Sequence, residues 1–143
     1  MLSLPNQCLF LSLGVALCLG GCSRGPKEIG VSGKVTVEGV PVDSGSIAFV
    51  PGDGNTHISG GVIENGSYNV KVPPGKKIVQ IRGLKRASSR EVYDEVSGKK
   101  YTTDNFVRMT PPEYEAAASP LTATIEKEGE VLDFDLKKDF PKK

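Results

Sequence analysis

Residues 58–72 read ISGGVIENGSYNVKV, and this stretch decides the fold class. On either side of Asn65-Gly66, apolar residues alternate with polar ones. A period of two is typical of β-strands that bury one face. Asn-Gly tolerates the positive φ angles of a tight hairpin turn, so the sequence predicts a β-hairpin with strands at 58–64 and 67–72.

The same alternation continues in both directions from this hairpin. It predicts further strands at 31–37, around Ile47 and Phe49, and at 77–84, 121–126 and 132–136, with turn residues between them. Beyond the N-terminal segment, only residues 112–118 favour a helix, which excludes parallel α/β architectures. We therefore predict an all-β, seven-stranded antiparallel β-sandwich with Phe49, Tyr68 and Phe134 as its largest core side chains.

Four of these segments resemble a known family. They are VSGKVTV at 31–37, GSIAFVP at 45–51, NGSYNV at 65–70 and PGKKIVQI at 74–81. Together they look like the carboxypeptidase regulatory-like domain, in the single-domain version found in small bacterial lipoproteins. The resemblance implies a transthyretin-like, Ig-like sandwich that binds or assists rather than catalyses. Its motifs are turns and strands, so they indicate fold far better than activity.

The N-terminal segment predicts export. Residues 8–19, CLFLSLGVALCL, are too few to cross a membrane, which takes roughly 20 apolar residues. The following Leu-Gly-Gly-Cys22 resembles the lipobox of bacterial lipoproteins. We expect residues 1–21 to be a signal-peptide helix and the Cys22 thiol to carry diacylglycerol, with an acyl chain such as palmitate on the new amino terminus. A buried core helix at 9–19 is the alternative.

Cleavage before Cys22 would leave a short tether, residues 22–29, and a domain at 30–143. Cys8 and Cys18 would be discarded, so the mature chain could form no internal disulfide. Residue 23 is serine, whereas aspartate there commonly retains lipoproteins in the inner membrane. These features favour a cell-envelope protein held by lipid in the outer membrane.

The chain offers little catalytic chemistry. His57 is the single histidine, and we expect it to be a solvated loop residue. Zinc sites and Ser-His-Asp triads need more such groups, and Asp53-Gly54-Asn55 lacks the later ligands of a calcium loop. We therefore predict no catalytic residues, no metal and no cofactor. A formal net charge of +1 and the export signal argue against nucleic acid as a partner.

The most distinctive segment is residues 87–119, predicted to be a long loop between the fifth and sixth strands. Residues 76–108 hold nine basic and four acidic side chains with interleaved aromatics. This mixture suits an envelope protein partner or an acidic glycan, although the aromatics could instead only pin the loop to the sandwich. The candidate binding residues are Arg86, Arg90, Tyr93, Lys99, Lys100, Tyr101 and Phe106.

Three classes of function remain from the sequence. A lipid-anchored binding or accessory module ranks first, because it needs no catalytic residues. A structural spacer or assembly subunit of an envelope complex ranks second, and an enzyme ranks last.

Overall fold

The computed structural model describes residues 27–54 and 57–139. Cys22, the signal peptide and most of the tether lie outside this part of the chain. The described residues form ten strands, listed here in chain order: β1 Ile29–Val37, β2 Val40–Pro41, β3 Ser44–Pro51, β4 Ser59–Glu64, β5 Ser67–Val72, β6 Gly75–Asp94, β7 Lys99–Arg108, β8 Thr122–Ile125, β9 Glu130–Val131 and β10 Phe134–Leu136. A short 3-10 helix spans Pro112–Tyr114.

The all-β prediction is confirmed, and each of the seven predicted segments overlaps an observed strand. The strands join in one hydrogen-bonded sheet in the order β10-β1-β5-β4-β3-β6-β7, with β2 and β9 attached to β1 and β8 attached to β6. Most neighbours are antiparallel. However, β9 and β10 run parallel to β1, so the sheet is not purely antiparallel as predicted.

The predicted hairpin around Asn65-Gly66 forms. Both turn residues have positive φ, 49° and 76°, which matches the expected tight turn. In β5 the side chains of Tyr68, Val70 and Val72 are buried, and they alternate with exposed ones. The alternation of apolar and polar residues in the sequence therefore corresponds to one buried and one exposed face of β5.

The sheet curls around a single hydrophobic core. Phe49 is fully buried, Tyr68 is nearly so, and Phe134 packs against them from β10. The ring centroids are 6.2 Å apart for Phe49 and Tyr68, and 6.4 Å apart for Tyr68 and Phe134. These three rings are the large core residues that the sequence predicted.

Residues 87–119 are not the long loop that was predicted. Strand β6 continues to Asp94, ten residues beyond the expected end at Leu84, and β7 returns beside it. Much of the segment is thus a two-stranded hairpin. The chain rejoins the body at Thr110, whose Oγ1 accepts a 2.9 Å hydrogen bond from the Gly83 backbone N–H.

The two ends of the sheet hold different parts of the chain. β1 begins next to the end of β5, where Ile29 is opposite Val72, and β6 begins close by at Gly75. β6 then runs along β3 from Lys77 to Leu84 and continues past it. The chain therefore enters the domain at one end, and the β6–β7 hairpin leaves from the other.

Candidate functional site

The hairpin formed by residues 85–108 is called the arm, and the other described residues are called the body. None of its side chains is buried, whereas the body it leaves has a closed core. Ten residue pairs join β6 to β7, from Leu84 opposite Arg108 to Asp94 opposite Lys99. At about 3.3 Å per residue, ten residues beyond Leu84 carry the tip roughly 33 Å past the body.

The tip of the arm is a compact turn over residues 95–98. The Asp94 carboxylate accepts hydrogen bonds from the Ser97 hydroxyl at 2.5 Å and the Val96 N–H at 3.0 Å. These bonds lower the pKa of Asp94, with the Ser97 bond as the largest cause. Gly98 closes the turn with a φ of 66°, which favours glycine. The turn fixes the register of the two strands.

The base of the arm carries a β-bulge. Arg86 is opposite Phe106 and Ser88 is opposite Asn105, so Ala87 is an extra residue on β6. The Arg86 N–H donates a 2.9 Å hydrogen bond to the Asp43 carboxylate of the body. Because of this extra residue, the β6 side chains after Ala87 lie on the opposite face from the one that strict alternation after Arg86 would give.

One face of the arm, called the paired face, carries Arg86, Ser89, Glu91 and Tyr93 from β6 with Lys100, Thr102, Asp104 and Phe106 from β7. Its charges are matched. Arg86 Nε lies 3.1 Å from an Asp104 carboxylate oxygen, and the guanidinium is 5.9 Å from the Phe106 ring centroid. Lys100 Nζ lies 3.7 Å from Glu91.

The opposite face, called the open face, carries Lys85, Ser88, Arg90, Val92 and Asp94 with Lys99, Tyr101, Thr103, Asn105 and Val107. No carboxylate in the described part of the chain lies within ion-pair distance of Lys85, Arg90 or Lys99. Tyr101 is 53% exposed. The one carboxylate on this face, Asp94, accepts hydrogen bonds within the tip turn, so the face presents three cations without an ion-pair partner beside an aromatic ring.

A shallow cavity of about 470 Å³ lies along the middle of the arm. All five residues that line it are polar: Ser88, Arg90, Thr103, Asp104 and Asn105. Hydroxyl, amide and guanidinium groups that converge in this way can bind a ligand with many oxygen atoms. Asp104 is already engaged by Arg86 and Ser89, so Arg90 is the free charge at the cavity.

The structure places all seven predicted binding residues on the arm but divides them between its faces. Arg86, Tyr93, Lys100 and Phe106 lie on the paired face, and Arg90, Lys99 and Tyr101 lie on the open face. The sequence analysis missed Ser88, Thr103 and Asn105. Their spacing around the bulge brings them to Arg90, and no local motif indicates that arrangement.

His57 lies away from the arm and is exposed. Its Nε2 is 3.5 Å from a carboxylate oxygen of Glu28, so it takes part in a surface ion pair when protonated. Among the described residues, no three His, Cys, Asp or Glu side chains are grouped as a metal site would require. No helix in this part of the chain is long and apolar enough to cross a membrane.

No family model and no curated protein matches this chain. One solved structure that is similar in part is described as a "putative adhesin" from Bacteroides ovatus, with 20% sequence identity and a TM-score of 0.43. The match covers 83% of this chain and 48% of that one, so this chain spans about half the length of the adhesin structure. A likeness of this size does not establish a shared fold.

Proposed function

We propose that this protein is a lipid-anchored, non-catalytic binding module of the cell envelope, and that the open face of its arm contacts the ligand. The observation that carries the proposal is the contrast between the two faces. Arg86 and Lys100 on the paired face have carboxylate partners, whereas Lys85, Arg90 and Lys99 on the open face have none in the described part of the chain. Exposed, unmatched cations on a long projection are available to a ligand.

We infer a transthyretin-like sandwich of the carboxypeptidase regulatory-like type, from the four segments named above. The continuous β3–β6 pairing over eight residues and the single enclosed core support this assignment.

The ligand class that best suits the open face is an acidic glycan. Guanidinium groups bind carboxylates with directed hydrogen bonds, and lysine adds a mobile positive charge. Ser88, Thr103 and Asn105 offer hydrogen bonds to sugar hydroxyls, and the exposed ring of Tyr101 offers a flat apolar surface.

The predicted anchor precedes β1, and the start of β1 and the arm lie at opposite ends of the domain, which supports ligand binding on the side that faces away from the membrane. With Cys22 lipidated, six residues (23–28) lie between the anchor and β1, and the seven steps from Cys22 to Ile29 reach roughly 25 Å at most. β1 begins at the end of the sheet opposite the arm. The anchor would then hold one end of the domain to the outer membrane and the arm would extend from the other.

The test is capture of the full-length protein on immobilised polygalacturonate, with neutral dextran as the blank. We expect binding that falls with added salt, because exposed charges are screened within about 10 Å at 0.1 M. The double substitution R90E/K99E should reduce capture about tenfold, a change of about 1.4 kcal/mol in binding free energy.

A matched control separates the open face from net charge. K71E/K76E makes the same change in charge at two exposed body residues and should leave capture almost unchanged. Equal losses in both double variants would mean that only overall charge matters. Salt-sensitive capture that R90E/K99E does not weaken would contradict the assignment of the site.

An assembly subunit is the second candidate, and a specific observation favours it. The outer side of β7 has no neighbouring strand among the described residues. A free sheet edge is a common site of protein–protein pairing.

A further inference from the structure

Strand β7 is an open edge with the features of a pairing strand. It is the last strand in the sheet order, and β6 is its only strand partner among the described residues. Its ten residues, KKYTTDNFVR, include no proline and no glycine. The bulge at the arm's base lies in β6, so β7 itself keeps an unbroken alternation of faces.

The opposite edge of the sheet is closed. Carboxylates from the C-terminal segment accept hydrogen bonds from backbone N–H groups beside β1: Glu128 from Gly30 at 3.0 Å, Asp133 from Lys34 at 2.7 Å and Asp135 from Gly39 at 2.9 Å. The short strands β9 and β10 pair with β1 between these bonds. Natural proteins protect sheet edges in this way. Among the strands with a single strand partner in the described part of the chain, β7 has ten residues, whereas β2, β8, β9 and β10 have two to four.

We propose that β7 pairs antiparallel with β7 of a second copy of this chain, centred on Thr103. Two identical antiparallel strands in one sheet are related by a two-fold axis perpendicular to the sheet, which keeps each side chain on its own face. Opposed residues must share a face, so the axis has to lie midway between the two copies of one residue, which is then opposite itself.

Two conditions select the residue at the axis: a long paired segment and no like charges opposite each other. Centring on Asp104 would place two carboxylates opposite each other and Lys100 opposite Arg108, and both contacts are repulsive. Centring on Thr102 would place Lys100 opposite Asp104, a favourable contact, but would pair only residues 99–105. Centring on Thr103 pairs 99–107 and opposes no like charges: Thr103 meets its own copy, Thr102 meets Asp104, Tyr101 meets Asn105, Lys100 meets Phe106 and Lys99 meets Val107.

This pairing would have two consequences. The two open faces would lie on the same side of the joined arms, so their cations would form one longer strip. The two bodies would lie at opposite ends of the joined arms. If the lipid anchor of the proposed function is correct, the paired copies are held on surfaces that face each other. The pairing itself depends only on β7.

Single cysteines placed on β7 of the full-length, detergent-solubilised chain provide the first test. Directly opposed residues have Cα atoms about 4.5–5.5 Å apart, within disulfide range. T103C should therefore give a disulfide-linked dimer under mild oxidation. T102C alone should not, because its copy is two residues away along the partner strand, but T102C mixed with D104C should. The unsubstituted chain measures any background from Cys8, Cys18 and Cys22.

A charge test then uses the detergent-solubilised full-length protein and sedimentation velocity. T103K places two ammonium groups opposite each other and should abolish the dimer, whereas T102K places one beside Asp104 and should preserve it. Absence of a dimer in the unsubstituted protein, or equal crosslinking of T102C and T103C, would overturn the proposal. Dimer formation and polygalacturonate capture are measured separately on the unsubstituted protein, so failure of pairing and failure of glycan binding are distinguishable.

Discussion

The Tyr68 hydroxyl donates a 2.8 Å hydrogen bond to the Leu132 backbone carbonyl, joining strand β5 to the segment between β9 and β10. The ring of Tyr68 lies between Phe49 and Phe134, so the hydroxyl reaches out of the aromatic cluster to a segment 64 residues away. Burial raises the pKa of Tyr68, and the charges of Asp133 and Glu130 add to this effect. The hydroxyl therefore stays protonated and remains a donor.

Removing this hydroxyl should destabilise the fold. Y68F keeps the ring but leaves the Leu132 carbonyl without its donor, a loss of about 1 kcal/mol in the free energy of unfolding. Urea unfolding of the full-length protein measures it. Y93F, on the exposed arm, is the control and should change stability by less than about 0.5 kcal/mol. Equal effects of the two substitutions would contradict this role for the bond.

The close approach of Leu132 also depends on Gly33. A Cβ built on Gly33 would lie 1.9 Å from the Leu132 carbonyl oxygen, so G33A must displace that segment from β1. We expect a loss of about 1–3 kcal/mol in unfolding free energy. G52A is the matched control, because a Cβ on Gly52 would lie 3.5 Å from the Lys76 carbonyl oxygen, an ordinary van der Waals distance. A stable G33A variant would mean that the segment can move without cost.

The difference between what the sequence predicted and what it missed follows from burial. Val35, Tyr68 and Ile81 alternate with polar residues because one face of each strand packs into the core. The arm strands have no buried face, so residues 99–107 lack this apolar alternation and resembled a loop. Their β-branched and aromatic content, with Ser97-Gly98 as a turn, was the available signal.

The hydrogen bonds between the C-terminal segment and β1 could also not be predicted from the sequence. Asp135 bonds to Thr36 and Gly39, and Asp133 bonds to Lys34, at separations of 96 to 99 residues. In the sequence, Asp133 and Asp135 alternate with apolar residues, and this pattern predicts only a strand with one solvated face. Their partners become evident once β1 and β10 lie side by side.

The Asp135 carboxylate should make stability depend on acid pH. Its bond from the Thr36 hydroxyl, then those from Gly39 and Lys137, lower its pKa to about 2. A carboxyl whose folded pKa lies below the unfolded value of about 4 stabilises the fold above pH 4, and this contribution is lost as pH falls toward 2. D135N should therefore be less stable than the unsubstituted protein at pH 7, with the difference vanishing near pH 2.

Urea unfolding between pH 2 and pH 7 measures this dependence. E95Q, at the tip of the arm, serves as the control and should run parallel to the unsubstituted protein at every pH. A D135N difference that is constant over the whole range would mean that the carboxylate charge does not contribute.

Lipid anchoring is tested at Cys22. C22A removes the thiol that would carry diacylglycerol, and a single remaining apolar segment of twelve residues is short for stable insertion. We expect the protein to move from the membrane fraction to the soluble fraction after cell lysis. C18A, within the segment predicted to be discarded, should leave the protein with the membranes. Retention of C22A in the membrane would contradict the anchor.

The arm should be dispensable for folding and necessary for binding. All sixteen buried apolar side chains of the described core lie outside residues 85–108. Lys85 and Val107 are opposite each other, so an Asn-Gly turn can replace residues 86–106 and close a short hairpin in their place. The shortened protein loses the Arg86 N–H bond to Asp43, and we expect unfolding free energy to fall by no more than about 1 kcal/mol. Polygalacturonate capture and β7 pairing should both disappear. Retained capture would place the ligand site on the body, and severe loss of stability would make the arm a structural element of the fold.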